Sequence, residues 1–297
     1  MDVTQYRKRF EAELAKAETA EKRRGRSGTR SLTGGKRGSP AARAAEIKMT
    51  PIEPDGLAAR VAELLAILRN RKEPLTVRMA ALQALGALDF LGPRFDAYRA
   101  DYKQALRDIA TDPQQKLRES ALEILAIDKD PYAQQLLVRG LQQPKDAIVP
   151  EAKAIQFLGY DDHAEVMPLI RKVYKRAKGV AREEALRLLA TDPQSEKLFT
   201  RLLKDKSEKS SIRRISASGL QSLNPEAFEK AAQKIVTDGK DYNEIRATSL
   251  AALAHGREAH AKAPDAKFVE KVQKMTEKTR SPAMRSSIRR FLQSTQA

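Results

Sequence analysis

Chemistry in a protein needs groups that titrate, ligate or attack, and this 297-residue chain offers few of them in workable patterns. The histidines are His163, His255 and His260, all read as inter-helix loop residues. His255 and His260, in HGREAH, are five residues apart with Glu258 as the one nearby third donor, too few ligands for a metal centre. Without cysteine there is no thiolate nucleophile, no disulfide and no Cys-based zinc or iron–sulfur site. Gly-x-Ser-x-Gly and His-Glu-x-x-His are both missing, and the acidic pairs Asp161-Asp162 and Glu183-Glu184 read as solvated. GTRSLTGGKR imitates a phosphate loop but fails, since Arg30 stands where the first Gly is needed, Arg37 where the Ser/Thr is needed, and no strand precedes it. Neither enzymatic activity, nor a cofactor, nor a metal is expected.

Positive charge is the more telling chemistry. The formal net charge is +17, with 56 Lys and Arg against 39 Asp and Glu, a field that draws anionic partners and says nothing of fold. In the segment from Lys22 to Arg43 the basic residues Arg23, Arg24, Arg26, Arg30, Lys36 and Arg37 stand among glycines with no acidic residue and no apolar period. Such a segment cannot repay the entropy of ordering and is expected to be disordered, either as a solvated linker or as an arm on phosphates. Further on, RKVYKRAKGVAR and KDKSEKSSIRR place Lys172, Lys175, Arg176, Lys178, Lys204, Lys206, Lys209 and Arg214 at equivalent points of successive units. They are expected to form one basic edge strip, continued by Arg289 and Arg290. Ordinary snorkelling lysines on solvated turns are the competing explanation.

The elements that hold these residues follow from a phrase written seven times: TVRMAALQALG (76 to 86), KLRESALEILA (116 to 126), VPEAKAIQFLG (149 to 159), VAREEALRLLA (180 to 190), SIRRISASGLQ (211 to 221), EIRATSLAALA (244 to 254) and AMRSSIRRFLQ (283 to 293). Apolar or small residues fall at its second, sixth, seventh and tenth places, the stripe of a helix pressed on a neighbour. A second amphipathic segment lies in each interval, so the unit is a helical hairpin. Asp112-Pro113, Asp130-Pro131, Asp192-Pro193, Asn224-Pro225 and Ser281-Pro282 supply a capping side chain followed by a Pro suited to the first helical turn. Hairpins that cannot bury their apolar faces alone stack on one another.

The third place of the phrase is Arg78, Arg118, Arg182, Arg213, Arg246 and Arg285, with Glu151 in the remaining copy. The unit, with V/L/I-R-x-x-A/S-L-x-x-L-G/A on its second helix, resembles a HEAT repeat in the short form also seen in bilin-lyase-like bacterial proteins. The resemblance covers about residues 57 to 293. It implies an all-α superhelix of about seven helical hairpins, and it makes the arginine column an inter-repeat ladder bonding carbonyls and carboxylates at neighbouring helix ends, in preference to a phosphate grip. Glu151, next to Pro150, marks an irregular copy.

The expected organisation is an N-terminal amphipathic helix over residues 1–23, a basic disordered linker over 24–55 and a HEAT-like α-solenoid over 56–297. Val3, Tyr6, Phe10, Leu14 and Ala17 form the apolar face of that first helix, which either caps the first hairpin or docks a partner. No apolar run approaches the ~20 residues needed to cross a bilayer, and a cytoplasmic protein is expected. Two functions are weighed. One is a non-catalytic scaffold or adaptor holding an acidic protein partner by its concave or basic edge surface. The other is a sequence-independent nucleic-acid-binding protein using the basic tail and strip. The scaffold is preferred by analogy with other HEAT-like folds. The resemblance also raises DNA glycosylases and bilin lyases. The absence of tryptophan and the scatter of Tyr98, Tyr102, Tyr132, Tyr160 and Tyr174 disfavour the glycosylase, and nothing beyond the repeat form supports a lyase.

Overall fold

Every element that the repeated phrase and its partner segments demand is helical in the computed structural model, which describes residues 38–51, 56–161, 165–260 and 265–295. Among the described residues the fold is all-α, with fifteen α-helices: α1 Pro40–Met49, α2 Leu57–Arg69, α3 Leu75–Asp89, α4 Asp96–Ile109, α5 Gln115–Ile127, α6 Pro131–Gln142, α7 Glu151–Leu158, α8 Met167–Arg176, α9 Gly179–Leu189, α10 Glu196–Lys204, α11 Ser210–Leu223, α12 Pro225–Thr237, α13 Asn243–His260, α14 Ala266–Lys278 and α15 Pro282–Gln293. From α2 onward they pair along the chain as seven hairpins. The backbone contacts divide the chain within α5 into two compact units, one ending at Leu125 and one starting at Ala126.

Within the second unit each hairpin closes on itself, and second helices pack on second helices, α7 on α9, α9 on α11, α11 on α13 and α13 on α15. The phrase explains this. Its second, sixth, seventh and tenth places in α11 are Ile212, Ser216, Ala217 and Leu220, and in α13 Ile245, Ser249, Leu250 and Leu253; all eight are buried. In α15 the seventh place is Arg289, which is exposed, while Met284, Ile288 and Phe291 are buried. Helix starts follow their caps. Asp130 accepts from the N–H of Tyr132 (3.0 Å), Asn224 from Ala227 (2.9 Å) and Ser281 from Met284 (3.5 Å). Asp192 caps the short 3₁₀ turn Pro193–Ser195 that leads into α10.

In the first unit α2 packs on α3 and α4, and α1 packs along α3 as second helices do on one another elsewhere. That corrects the linker expected over residues 24–55, of which Pro40–Met49 is a helix. Ser39 caps it by accepting from the Ala42 N–H (3.2 Å), Ile47 is buried, and the Arg60 guanidinium donates to the Ile47 carbonyl (2.7 Å). Arg43 adds a two-pronged bond to Glu73 (2.8 and 3.0 Å). The exposed side of α3 that a terminal hairpin needs covered is thus covered by α1. The apolar face proposed for residues 1–23 lies outside the described residues.

The third place of the phrase forms a repeated rung. Arg78, Arg213 and Arg246 each donate Nε to the carbonyl ten residues earlier, Leu68, Leu203 and Val236 (2.9, 2.9 and 3.0 Å). In each case that carbonyl belongs to the penultimate residue of the hairpin's first helix, where α-helical carbonyls lack intrahelical donors. Terminal guanidinium nitrogens reach forward to a carboxylate in the turn of the next hairpin at three of the rungs: Arg78 to Asp112 (2.6 Å), Arg182 to Glu208 (2.7 and 3.3 Å) and Arg213 to Asp241 (2.6 and 2.7 Å). Arg118 donates to the Asp112 carbonyl (2.5 Å), Arg246 also to Asn243 (3.0 Å), and Arg285 to the Thr279 carbonyl (3.0 Å).

Burial alone would raise the carboxyls of Asp112 and Asp241. The bonds from Arg78 and Arg213, aided by the N–H groups of Gln114 and Tyr242, outweigh it and hold both below the ordinary carboxylate value. An unfolded aspartate titrates near pH 4. The stability these groups add is therefore complete above about pH 4 and is lost as pH falls through their depressed folded values. Urea midpoints measured from pH 7 downward should hold to about pH 4 and drop below it, and Asp241→Asn should make that drop shallower.

Candidate functional site: a cationic cavity

The second unit contains a cavity of about 610 Å³ lined by Tyr174, Lys175, Arg176, Ala177, Lys178, Gly179, Arg182, Arg201 and Lys209. Four pieces of chain build it. Helix α8 buries Ile170, Val173 and Tyr174, which leaves Lys175 and Arg176 at its C-terminal end, where cations suit the helix dipole. The chain then reverses through Ala177, Lys178 and Gly179. Gly179 adopts φ +56, a left-handed conformation that side chains resist, and it opens α9. No side chain caps the N-terminus of α9, so its amide end adds to the positive field beside Lys178. Helix α10 buries Phe199, Leu202 and Leu203 and turns Arg201 toward the cavity, and Lys209 stands at the entrance to α11.

Six cations and no carboxylate line this space. Two of the six are held by acids lying outside the lining. Arg182 is gripped by Glu208, stacks on the Tyr174 ring (5.3 Å to its centroid) and donates to the Tyr174 hydroxyl (3.1 Å). Arg176 donates to Glu151 (2.5 Å) and to the Leu141 carbonyl (2.6 Å). Lys175, Lys178, Arg201 and Lys209 form no ion pair among the described residues. The carboxylate that Arg201 influences is exposed Asp205, held below its ordinary range first by the Ser207 hydroxyl and N–H and then by Arg213 and Arg201. The site thus holds a surplus of positive charge at a turn, with Tyr174 and Ala177 as its apolar floor.

Of the basic positions singled out in the sequence, the cavity gathers Lys175, Arg176, Lys178 and Lys209, and adds Arg182 from the arginine column. Lys206 is tied to Asp238 and Arg214 to Glu244 (2.8 Å). Lys172 and Lys204 are exposed outside the lining, and Arg289 and Arg290 are exposed on α15. Arg23, Arg24, Arg26, Arg30, Lys36 and Arg37 lie outside the described residues. Arg201 escaped the sequence because it stands alone between Thr200 and Leu202 and belongs to no charge run; its place one turn before Lys204 was the available signal. His163 also lies outside the described residues, and His255 is in α13, not in a loop. Among the described residues no helix is long and apolar enough to cross a membrane.

No protein-family model matches this chain, and no curated protein is significantly similar to it. Two solved structures resemble it in fold. One is human deoxyhypusine hydroxylase in complex with glycerol, at 15% identity and a TM-score of 0.36, covering 82% of this chain and 99% of that one. The other is the complex of CpcE and CpcF of phycocyanin lyase from Nostoc sp., at 17% identity and a TM-score of 0.37, covering 91% of this chain and 100% of that one. These findings correct the expectation of a non-catalytic scaffold and of no enzymatic activity. That preference rested on what helical-repeat folds most often do, and both resembling structures carry the names of enzymes. The likeness reaches the fold alone, and neither activity is carried over.

Proposed function

We propose that the chain is a HEAT-like helical-repeat protein that binds a compact, multiply phosphorylated small molecule in the cavity between α8, α9, α10 and the start of α11. The observation that carries this is the lining itself, six cations around about 610 Å³ with no carboxylate among them. That volume is of ligand-pocket size. Four cations without ion pairs ask for more than one negative charge, and planar guanidinium groups beside lysines match phosphate oxygens well.

Titration calorimetry with pyrophosphate, tripolyphosphate and inositol hexakisphosphate near 0.15 M salt tests it, with citrate as the carboxylate comparison. Affinity should rise with phosphate count and fall with added salt. Lys178→Glu/Lys209→Glu alters two exposed side chains, so folding should be kept. At about 1 kcal/mol per reversed charge, affinity should drop about 30-fold. Equal binding by the variant, or none by the native chain, overturns the proposal.

A further inference from the structure

The copy of the phrase that carries Glu151 is a rung built with its charges exchanged. In the regular rungs the arginine sits at the third place of the phrase and the carboxylate in the next hairpin's turn, as with Arg213 and Asp241. Here Glu151 takes the third place, and Arg176, 25 residues later at the turn of the next hairpin, takes the position of the carboxylate. The substitution is complete to the last bond. The carbonyl ten residues before Glu151 is Leu141, penultimate in α6, and Arg176 fills it from the other side.

The exchange also decides which charge faces the cavity. A regular rung at this level would set an Asp or Glu in the lining, among Lys175, Lys178, Arg201 and Lys209, where it would repel an anion and neutralise a neighbour. The exchanged rung sends the negative charge to the start of α7, outside the lining, and leaves a guanidinium inside. That guanidinium is not closed off. The Arg176 side chain is 42% exposed, against 0% for Arg213 and 3% for Arg78. It uses Nη1 and Nη2 once each, and a guanidinium carries five N–H donors, so donors remain for a ligand.

We infer that the exchanged rung makes this turn the anion site, with Arg176 as a residue that determines its preference for anions and Glu151 as the structural counter-ion that holds it. The inference rests on the cavity proposed above as a polyphosphate site. It distinguishes this turn from those bearing Asp112, Glu208 and Asp241, where the rung carboxylate remains at the turn.

The test is Glu151→Arg/Arg176→Glu, which rebuilds a rung of regular polarity without altering net charge. Each single change sets like charges together and should lower the urea midpoint, whereas the pair should recover most of it. Binding of tripolyphosphate should nevertheless fall at least 10-fold in the pair, because the negative charge now stands in the cavity. Arg176→Gln provides a second route if the exchanged pair fails to fold: it should bind several-fold more weakly, while Glu151→Gln binds as well as the native chain or better. Native binding that is unchanged in the exchanged pair, or in Arg176→Gln, overturns the inference and leaves the site standing. Absence of native binding removes the site itself.

Discussion

Asp241→Ala should cost about 3–5 kcal/mol of unfolding free energy, because it strands a buried guanidinium. Arg213 is fully buried in α11, with Nε on the Leu203 carbonyl and both terminal nitrogens on Asp241. Removing the carboxylate leaves those nitrogens desolvated and without an acceptor, a much larger penalty than losing an exposed pair. Arg214→Ala gives the internal comparison, since the Arg214–Glu244 pair next to it is half open to water and should contribute no more than about 1 kcal/mol. Replacing Arg213 and Asp241 together by leucine should be milder than Asp241→Ala alone, because no charge is then left buried. Urea unfolding of the four proteins decides the matter; a loss under 1 kcal/mol in Asp241→Ala would mean that water reaches Arg213.

Phe199→Ala should be comparably severe, at about 3–5 kcal/mol. Phe199 is fully buried on α10 and packs against α11 at Gly219, where a Cβ would come within 2.8 Å of ring atom Cε1. The two helices approach this closely because residue 219 has no side chain, and the ring fills the space so created. Truncation empties the space, and no side chain at 219 exists to close it. Denaturant unfolding measures the loss. Phe199→Leu, which keeps part of the volume, should lose markedly less, and an equal loss in both would show that packing against Gly219 is not the source.

Most of the repeat was legible because helical periodicity and Asp-Pro, Asn-Pro and Ser-Pro caps are local signals, confined to a dozen residues. Helix α1 was missed although Ser39-Pro40 is the same signal, because its one buried residue is Ile47 and its neighbours belong to a glycine-rich basic stretch. The cavity was half legible. Lys175, Arg176, Lys178 and Lys209 stood out as charge runs, whereas Arg201 stood in none. Glu151 could be seen as a departure from its column, but its meaning lay 25 residues away in Arg176, and pairing over that distance leaves no mark on either segment alone. The charge of a run also says little about which members already have partners: Lys206 and Arg214 are spent on Asp238 and Glu244.

The forward reach of the rungs gives the array a direction in time as well as in space. Hairpin α10/α11 leaves the ribosome with Arg213 unanswered until Asp241, 28 residues later, has been made. A nascent or clipped chain ending near Leu223 therefore carries an unpaired cation at its growing end, while one shortened from the other side carries an unpaired anion instead. Synthesis from N- to C-terminus leaves Arg78, Arg182 and Arg213 waiting in this way, whereas at Glu151 the group that waits for the next hairpin is an acid.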